Sequence, residues 1–176
     1  MPAALDDTLV IGHAASGKSA WAEGVVLQTA SETGARAVYV ATAAVLDEEM
    51  RAKVAAHAAR RGPDWTLIET PADLARTCAA RGADEVALVD CATLWLTSFA
   101  MDGRDWRSPA EDWIAAMAAS PARFVVVTND VGGGVVPDNA MARAFQRDQG
   151  ALNQRLAAAM ARVVLVTAGL PLRLKG

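Results

Sequence analysis

The octapeptide Gly12-His13-Ala14-Ala15-Ser16-Gly17-Lys18-Ser19 constrains this chain more than any other feature. It fits G-x-x-x-x-G-K-[ST], and it stands where that pattern has a mechanical meaning. A short apolar run, Thr8 to Ile11, precedes it, and a helix-forming stretch, Lys18 to Gln28, follows it before Gly34. Glycines let the backbone turn so that successive N–H groups point inward at phosphate oxygens, and the helix N-terminus adds partial positive charge. Lys18 is placed to reach the β- and γ-phosphates of a nucleotide, and Ser19 to put its hydroxyl on Mg²⁺. The loop works through its backbone, so His13 reads as a tolerated variable position rather than a catalytic group. The rival reading, a glycine turn with no ligand, does not explain why motif, strand and helix agree.

The remaining chain alternates in the same way. Ala37–Ala41, Glu85–Val89, Arg123–Thr128 and Val163–Thr167 read as core strands, Trp65–Glu69 as a short strand and Leu170–Leu174 as an edge strand. Asp47, Glu48 and Glu49 open a helix that Arg60, Arg61 and Gly62-Pro63 close. Further helices are expected from Pro71 to about Arg81, over Ala92–Met101, from Pro109 through Ala119, and over Ala140–Ala161 with an interruption near Gly150. Asp102 to Ser108 is the one polar stretch that reads as an insertion or lid. Continuously apolar strands alternating with helices predict an α/β fold, a mostly parallel sheet with helices on both faces.

Composition sets the outer bounds. A chain of 176 residues, 53% hydrophobic and 21% charged, reads as one globular nucleotide-binding domain spanning residues 1–176. A chain of that length buries roughly 70% of the surface its unfolded form exposes. A net charge of −3 with scattered basic residues gives no general attraction for nucleic acid. Cys78 and Cys91 lack metal-ligand spacing and read as reduced thiols. Asp6 and Asp7 stand where a signal peptide needs apolar residues, and no apolar run approaches a membrane span, so a cytoplasmic protein is expected.

Several residues carry a chemical reading beside an ordinary one. Asp90 ends the apolar run Ala87-Leu88-Val89, the place from which an acid holds Mg²⁺ beside a phosphate cradle; the alternative is a cap on the next helix. Asp130, in the glycine-rich stretch Asn129 to Asn139, positions metal or substrate, or else caps the helix near Ala140. Arg143, Arg147 and Asp148 read as a surface or subunit-contact network, and Trp95, Trp106 and Trp113 as core before they read as a ligand surface. Met50, Val54 and His57 share one helix face. On spacing alone His57 is an ordinary helix residue. Beside Arg60 and Arg61, which disfavour its protonation, a neutral imidazole is a nucleophile toward phosphorus.

Taken together these segments resemble one family over nearly the whole chain: the bifunctional adenosylcobinamide kinase / adenosylcobinamide-phosphate guanylyltransferases. The resemblance runs from the phosphate loop through Tyr39-Val40-Ala41-Thr42-Ala43, Leu46-Asp47-Glu48-Glu49-Met50, His57, Arg61-Gly62-Pro63, Trp65 and Val89-Asp90-Cys91. It continues through Val127-Thr128-Asn129-Asp130-Val131-Gly132-Gly133-Gly134-Val135-Val136-Pro137 to Arg143, Phe145, Arg147-Asp148, Gly150 and Asn153-Gln154-Arg155-Leu156. The T-N-[DE]-V-G-x-G-[IV]-V-P loop is its most specific signature. The resemblance implies a three-layer P-loop NTPase fold of RecA-like type and a trimer. It implies phosphorylation of the aminopropanol hydroxyl of adenosylcobinamide, with ATP or GTP as donor and Mg²⁺ as cofactor. Transfer of GMP from GTP to that phosphate would follow, through a covalent guanylyl-histidine. By position that histidine is His57. Ala41, Thr42 and Ala43 match a nucleotide-contacting turn, and Arg60, Arg61 and Glu69 fall in or near guanine-nucleotide contacts. The chain departs from the pattern where Asp90 and Asp130 replace expected glutamates, keeping charge but shortening reach. Ala56 precedes a single His57, where the family often carries two adjacent histidines.

Overall fold

The computed structural model describes residues 6–42, 64–70 and 73–176. The helix expected between Asp47 and Arg61 lies outside the described residues, as does Pro71.

Among the described residues six parallel strands and one antiparallel edge strand form a single sheet. In chain order the elements are β1 (Thr8–Gly12), α1 (Lys18–Thr33), β2 (Arg36–Ala41), β3 (Trp65–Glu69), α2 (Leu74–Ala79), β4 (Glu85–Asp90), α3 (Ala92–Met101), α4 (Arg107–Ala119), β5 (Arg123–Asn129), α5 (Ala140–Ala159), β6 (Arg162–Thr167) and β7 (Leu170–Lys175). The sheet order is β3-β2-β4-β5-β1-β6-β7. The strand that feeds the phosphate loop is therefore central, and β5 separates it from the strand ending in Asp90.

Why the strands are apolar throughout is visible in what covers them. Side chains alternate across a strand. Val10, Tyr39, Leu88, Val125, Val127 and Val164 pack on Ala22, Val26 and Ala30 of α1. Their neighbours Leu9, Val40, Val89, Phe124, Val126 and Val163 face the opposite layer, built from α2, α3, α4 and α5. Helices thus lie on both faces, as the alternation of the sequence predicts. Trp95 and Trp113 are fully buried in the second layer, with ring centroids 5.3 Å apart. Truncating either to alanine costs about 3–5 kcal/mol. Trp106 is buried with them, so all three tryptophans are core.

Four local expectations change. The helix expected from Pro71 runs only over Leu74–Ala79, because Asp73 caps it by accepting the Arg76 N–H. Gly150 does not interrupt α5, which is continuous from Ala140 to Ala159; one glycine in a helix interior costs only about 1 kcal/mol, and Leu152 and Leu156 bury the surrounding face. The helix cap near Ala140 is Asn139, whose side chain accepts the Ala142 N–H, not Asp130. The polar stretch after Met101 is a short turn rather than a lid: buried Trp106 anchors it, and α4 already begins at Arg107.

β6 and β7 form a hairpin closed by Ala168 and Gly169, with φ 52° and 77°. Positive φ at both central residues is the twist-matched two-residue turn.

Candidate active site

The C-terminal ends of the parallel strands gather the candidate residues. In the register of the sheet Glu69, Ala41 and Asp90 stand side by side on β3, β2 and β4. Gly12 pairs with Asn129 across β1 and β5. This row is where a parallel α/β sheet presents its loops to a ligand.

The cradle is tightly built. A Cβ on Gly12 would lie 2.5 Å from both the Ser16 Oγ and the Val166 carbonyl oxygen, so only glycine leaves the strand room to turn under the loop. Gly17, at φ 89°, caps α1 from the left-handed region. His13, Ala14 and Ala15 are exposed while Ser16 and Lys18 are buried. The loop therefore shows backbone to solvent at its crown and keeps its charged group inside the curve. Lys18 Nζ donates to the His13 carbonyl at 3.1 Å. Burial of the ammonium is the first cause that lowers its pKa from 10.5, while the charge of nearby Asp90 acts the other way. The Ser16 hydroxyl is buried without a hydrogen-bond partner, polar capacity left over at the floor of the loop. Ser19 is half-buried at the start of α1.

Asp90 is half-buried, and Tyr39 Oη donates to its Oδ2 at 2.6 Å. It does not cap α3: the N-cap is Cys91, which makes no side-chain capping bond. Val10, Tyr39 and Leu88 belong to the face that packs on α1, and alternation puts Gly12 and Asp90 on that same face. Cys91 is buried, and that burial pushes its thiol pKa up to about 12, so it is neutral. Thr42 joins the ends of β2 and β4. Its hydroxyl donates to the Cys91 carbonyl at 2.7 Å and accepts the Cys91 N–H at 2.8 Å. Both bonding directions of that hydroxyl are used inside the protein. Glu69 is exposed at the tip of β3. Ala43, His57, Arg60 and Arg61 lie outside the described residues.

The glycine-rich stretch after β5 closes over the cradle. The Asp130 N–H donates to the Gly12 carbonyl at 3.0 Å. The Asp130 carbonyl lies 3.0 Å from His13 Nδ1, which donates to it when that nitrogen carries the proton. Asp130's carboxylate accepts the Gly132 N–H. One face of α5 holds the stretch from below: Arg143 donates to the Pro137 and Asp138 carbonyls, Gln146 to Val131 and Asn153 to Asn129. Asp148 pairs instead with Arg107 at 3.3 Å, and Arg147 is exposed. Sequence reasoning missed Tyr39, Asn129 and Asn153 here. Alternation along β2 and β5 carried the signal for the first two, since each falls on the face of the cradle.

Oxygen donors suit Mg²⁺: a hydroxyl from Ser19 and a carboxylate from Asp90, without a protein cage. Among the described residues no cluster of three or more His, Cys, Asp or Glu forms such a cage.

A model of the family described as cobinamide kinase / cobinamide phosphate guanyltransferase matches residues 8–174. The chain belongs to this family. Within the cobinamide kinase / guanyltransferase family, it is 38% identical over 171 residues to the bifunctional adenosylcobalamin biosynthesis protein CobP of Pseudomonas aeruginosa, covering 96% of each chain. It is 36% identical over 186 residues to the bifunctional adenosylcobalamin biosynthesis protein CobU of Salmonella typhimurium, covering 95% of this chain and 98% of that one. The Escherichia coli protein of the same name is 34% identical over 184 residues, with the same coverage. Among solved structures, the flagellar accessory protein FlaH from Methanocaldococcus jannaschii superposes with a TM-score of 0.53 at 11% identity, over 97% of this chain and 78% of that one. The last is a likeness of fold alone. Among the described residues no helix is long and apolar enough to cross a membrane.

Proposed function

We propose that this chain phosphorylates the aminopropanol hydroxyl of adenosylcobinamide and then transfers GMP from GTP onto the new phosphate. Its single domain spans residues 1–176. The observation that carries this reading is the convergence of the Gly12–Ser19 cradle, buried Lys18 and Asp90 on one face of the sheet, in a chain whose family model describes both activities.

In the first step the substrate hydroxyl oxygen attacks the γ-phosphorus of ATP or GTP in line, the bond to the nucleoside diphosphate breaks, and the hydroxyl proton leaves. Lys18 and the loop N–H groups hold the phosphate oxygens and steady the charge that develops on them. In the second step a nitrogen of His57 attacks the α-phosphorus of GTP and pyrophosphate departs. An oxygen of the substrate phosphate then attacks the phosphoramidate phosphorus and frees the histidine, giving adenosylcobinamide-GDP. Ser19 and Asp90 would hold Mg²⁺, which neutralises phosphoryl charge when bound. Arg60, Arg61, Glu69 and the Ala41–Ala43 turn make up the guanine-nucleotide contacts. Thr42 is fully buried, with its hydroxyl bonded to Cys91 and its N–H donating to the Asp90 carbonyl at 3.2 Å, so its part is to hold this turn in shape.

The trimer implied by the resemblance has a candidate surface in β7, where Leu170, Leu172 and Leu174 are exposed in one row.

Incubation with GTP labelled at the α-phosphate tests the reading. Acid-labile, alkali-stable label on the wild type and none on His57→Ala is expected, together with pyrophosphate release that depends on cobinamide phosphate. An unlabelled wild type that still phosphorylates cobinamide would leave a plain small-molecule kinase. No product at all from cobinamide under saturating nucleotide would leave a nucleotide-gated switch.

A further inference from the structure

The last residue of β5 has a side chain that the mechanism above does not use. Asn129 pairs in register with Gly12, the first residue of the cradle. Val125 and Val127 pack on the α1 side of the sheet, and alternation sends Asn129 to that same side, above the cradle and between the strand of Gly12 and the strand of Asp90. Its Oδ1 is buried without a hydrogen-bond partner. A buried acceptor with no partner is costly, about 1–3 kcal/mol, and calls for a ligand or a water.

The same residue is held firmly through its backbone. Its N–H donates to Thr93 Oγ1 at 2.9 Å, and its carbonyl accepts from Asn153 Nδ2 at 3.0 Å. The next residue, Asp130, donates to the Gly12 carbonyl at 3.0 Å. A side chain left unsatisfied on a backbone fixed at three successive points is a preorganised contact for something that enters the cradle. A carboxamide suits a phosphoryl group in flight: it is neutral, so it does not repel the oxygens, and its NH₂ donates two hydrogen bonds.

We propose that Asn129 reads the terminal phosphoryl group of a nucleoside triphosphate in the cradle. Its Nδ2, the end of the carboxamide that is not buried, donates to a γ-phosphate oxygen. The residue therefore separates triphosphate from diphosphate and steadies the phosphoryl group during the kinase step. The inference rests on reading Gly12–Ser19 as a triphosphate cradle, and not on which acceptor receives the phosphoryl group.

Titration calorimetry with Mg²⁺ and either the β,γ-imido analogue of GTP or GDP tests it, on the wild type, Asn129→Ala and Asn129→Asp. The aspartate is isosteric and guards against a variant that fails to fold. Wild type is expected to favour the triphosphate. Asn129→Ala loses roughly tenfold or more in triphosphate affinity with GDP affinity unchanged, and Asn129→Asp loses more, because it sets a carboxylate against the phosphate. In steady state the kinase kcat of Asn129→Ala falls roughly a hundredfold with the KM for cobinamide unchanged. Equal losses for both nucleotides would mark a structural role and overturn the proposal, and so would unchanged triphosphate affinity in Asn129→Asp. A wild type that binds no triphosphate would sink it together with the cradle. Intact triphosphate discrimination without any phosphorylated cobinamide sinks only the substrate assignment.

Discussion

The Gly169 amide donates to the Ser16 carbonyl at 2.8 Å, so the turn between β6 and β7 forms one wall of the phosphate cradle. Gly17 leans on the same turn: a Cβ there would lie 3.0 Å from the Gly169 Cα. Three glycines then act for three reasons, and alanine at each should fail differently. Gly12→Ala drives a methyl into the Val166 carbonyl at 2.5 Å, a backbone atom that cannot swing aside. Gly17→Ala meets strain at φ 89° and a tight neighbour. Gly169→Ala meets strain only, at φ 77°, with nothing near its Cβ; left-handed strain costs roughly 1–2 kcal/mol. Nucleotide affinity should fall in the order Gly12→Ala, Gly17→Ala, Gly169→Ala, measured by titration beside urea unfolding. Loss of stability in Gly169→Ala with wild-type nucleotide affinity would show that the turn is no wall.

Lys18 is held at a cost that function explains. Its burial lowers its pKa in the folded chain, so the ammonium is worse placed there than in the unfolded chain. Lys18→Met keeps the stem and removes the charge. It should raise stability at neutral pH by up to about 1 kcal/mol while sharply weakening triphosphate binding. The sign with pH follows from linkage. Between the lowered folded value and the unfolded value of 10.5, the unfolded chain binds the proton and the folded chain does not. Stability of the wild type therefore rises with pH through that window relative to Lys18→Met. Comparing wild type with Lys18→Met cancels the contribution of Cys78, whose thiol burial pushes up to about 12; Cys91, pushed up likewise, also feels the Lys18 charge, and its further rise in Lys18→Met acts in the same direction. A Lys18→Met variant that is less stable than wild type across that range would refute the desolvation argument.

The 2.6 Å hydrogen bond from Tyr39 to Asp90 fixes one carboxylate oxygen and leaves the other for a cation. Tyr39→Phe removes the hydroxyl while keeping the edge-on packing of its ring against Trp65. Magnesium dependence of the kinase step should shift to roughly fivefold to tenfold higher concentration, since part of the net worth of such a charge-assisted bond, about 1.5–3 kcal/mol, goes into aiming the carboxylate. Stability should fall too, by up to about 1.5–3 kcal/mol, and the magnesium curve is read well below the melting temperature of the variant. An unchanged magnesium curve would detach Tyr39, and with it this orientation of Asp90, from the cation.

Most of the architecture was legible because the chain says the same thing at several levels. Leu9-Val10, Leu88-Val89 and Phe124-Val125-Val126-Val127 are apolar on both faces, which only a covered parallel strand needs. Gly34 marks a turn by its conformation and Gly12 by the room that a missing Cβ leaves, and the cradle motif fixes which strand feeds the site. What was not legible depends on partners distant in sequence. Nothing near Asp130 says that Asn139, with its own side chain on the Ala142 N–H, is the cap of α5. Nothing near Ser16 says that Gly169 will reach it from a chain segment far downstream. Asn129 is the instructive case: its type reads as a turn residue, and only the register with Gly12 turns it into a site residue.

Beneath the site, α5 carries a buried polar network whose parts do different jobs. Thr128 Oγ1 donates to Asn153 Oδ1 at 2.7 Å, and Gln149 Nε2 donates to both Thr128 Oγ1 and Asn153 Oδ1 at 3.0 and 2.9 Å. Gln149 is fully buried, and its Oε1 already lacks a partner. Removing a further member should cost roughly 2–3 kcal/mol, because buried polar atoms are stranded rather than returned to water. Thr128→Val and Asn153→Ala both do this. Only Asn153→Ala also takes away the donor to the Asn129 carbonyl, whose bond is 3.0 Å. Both variants should therefore lose comparable stability in urea, while triphosphate-over-diphosphate preference falls several-fold in Asn153→Ala and stays near wild type in Thr128→Val. Equal nucleotide preference in the two variants would mean that α5 supports the fold without aiming Asn129.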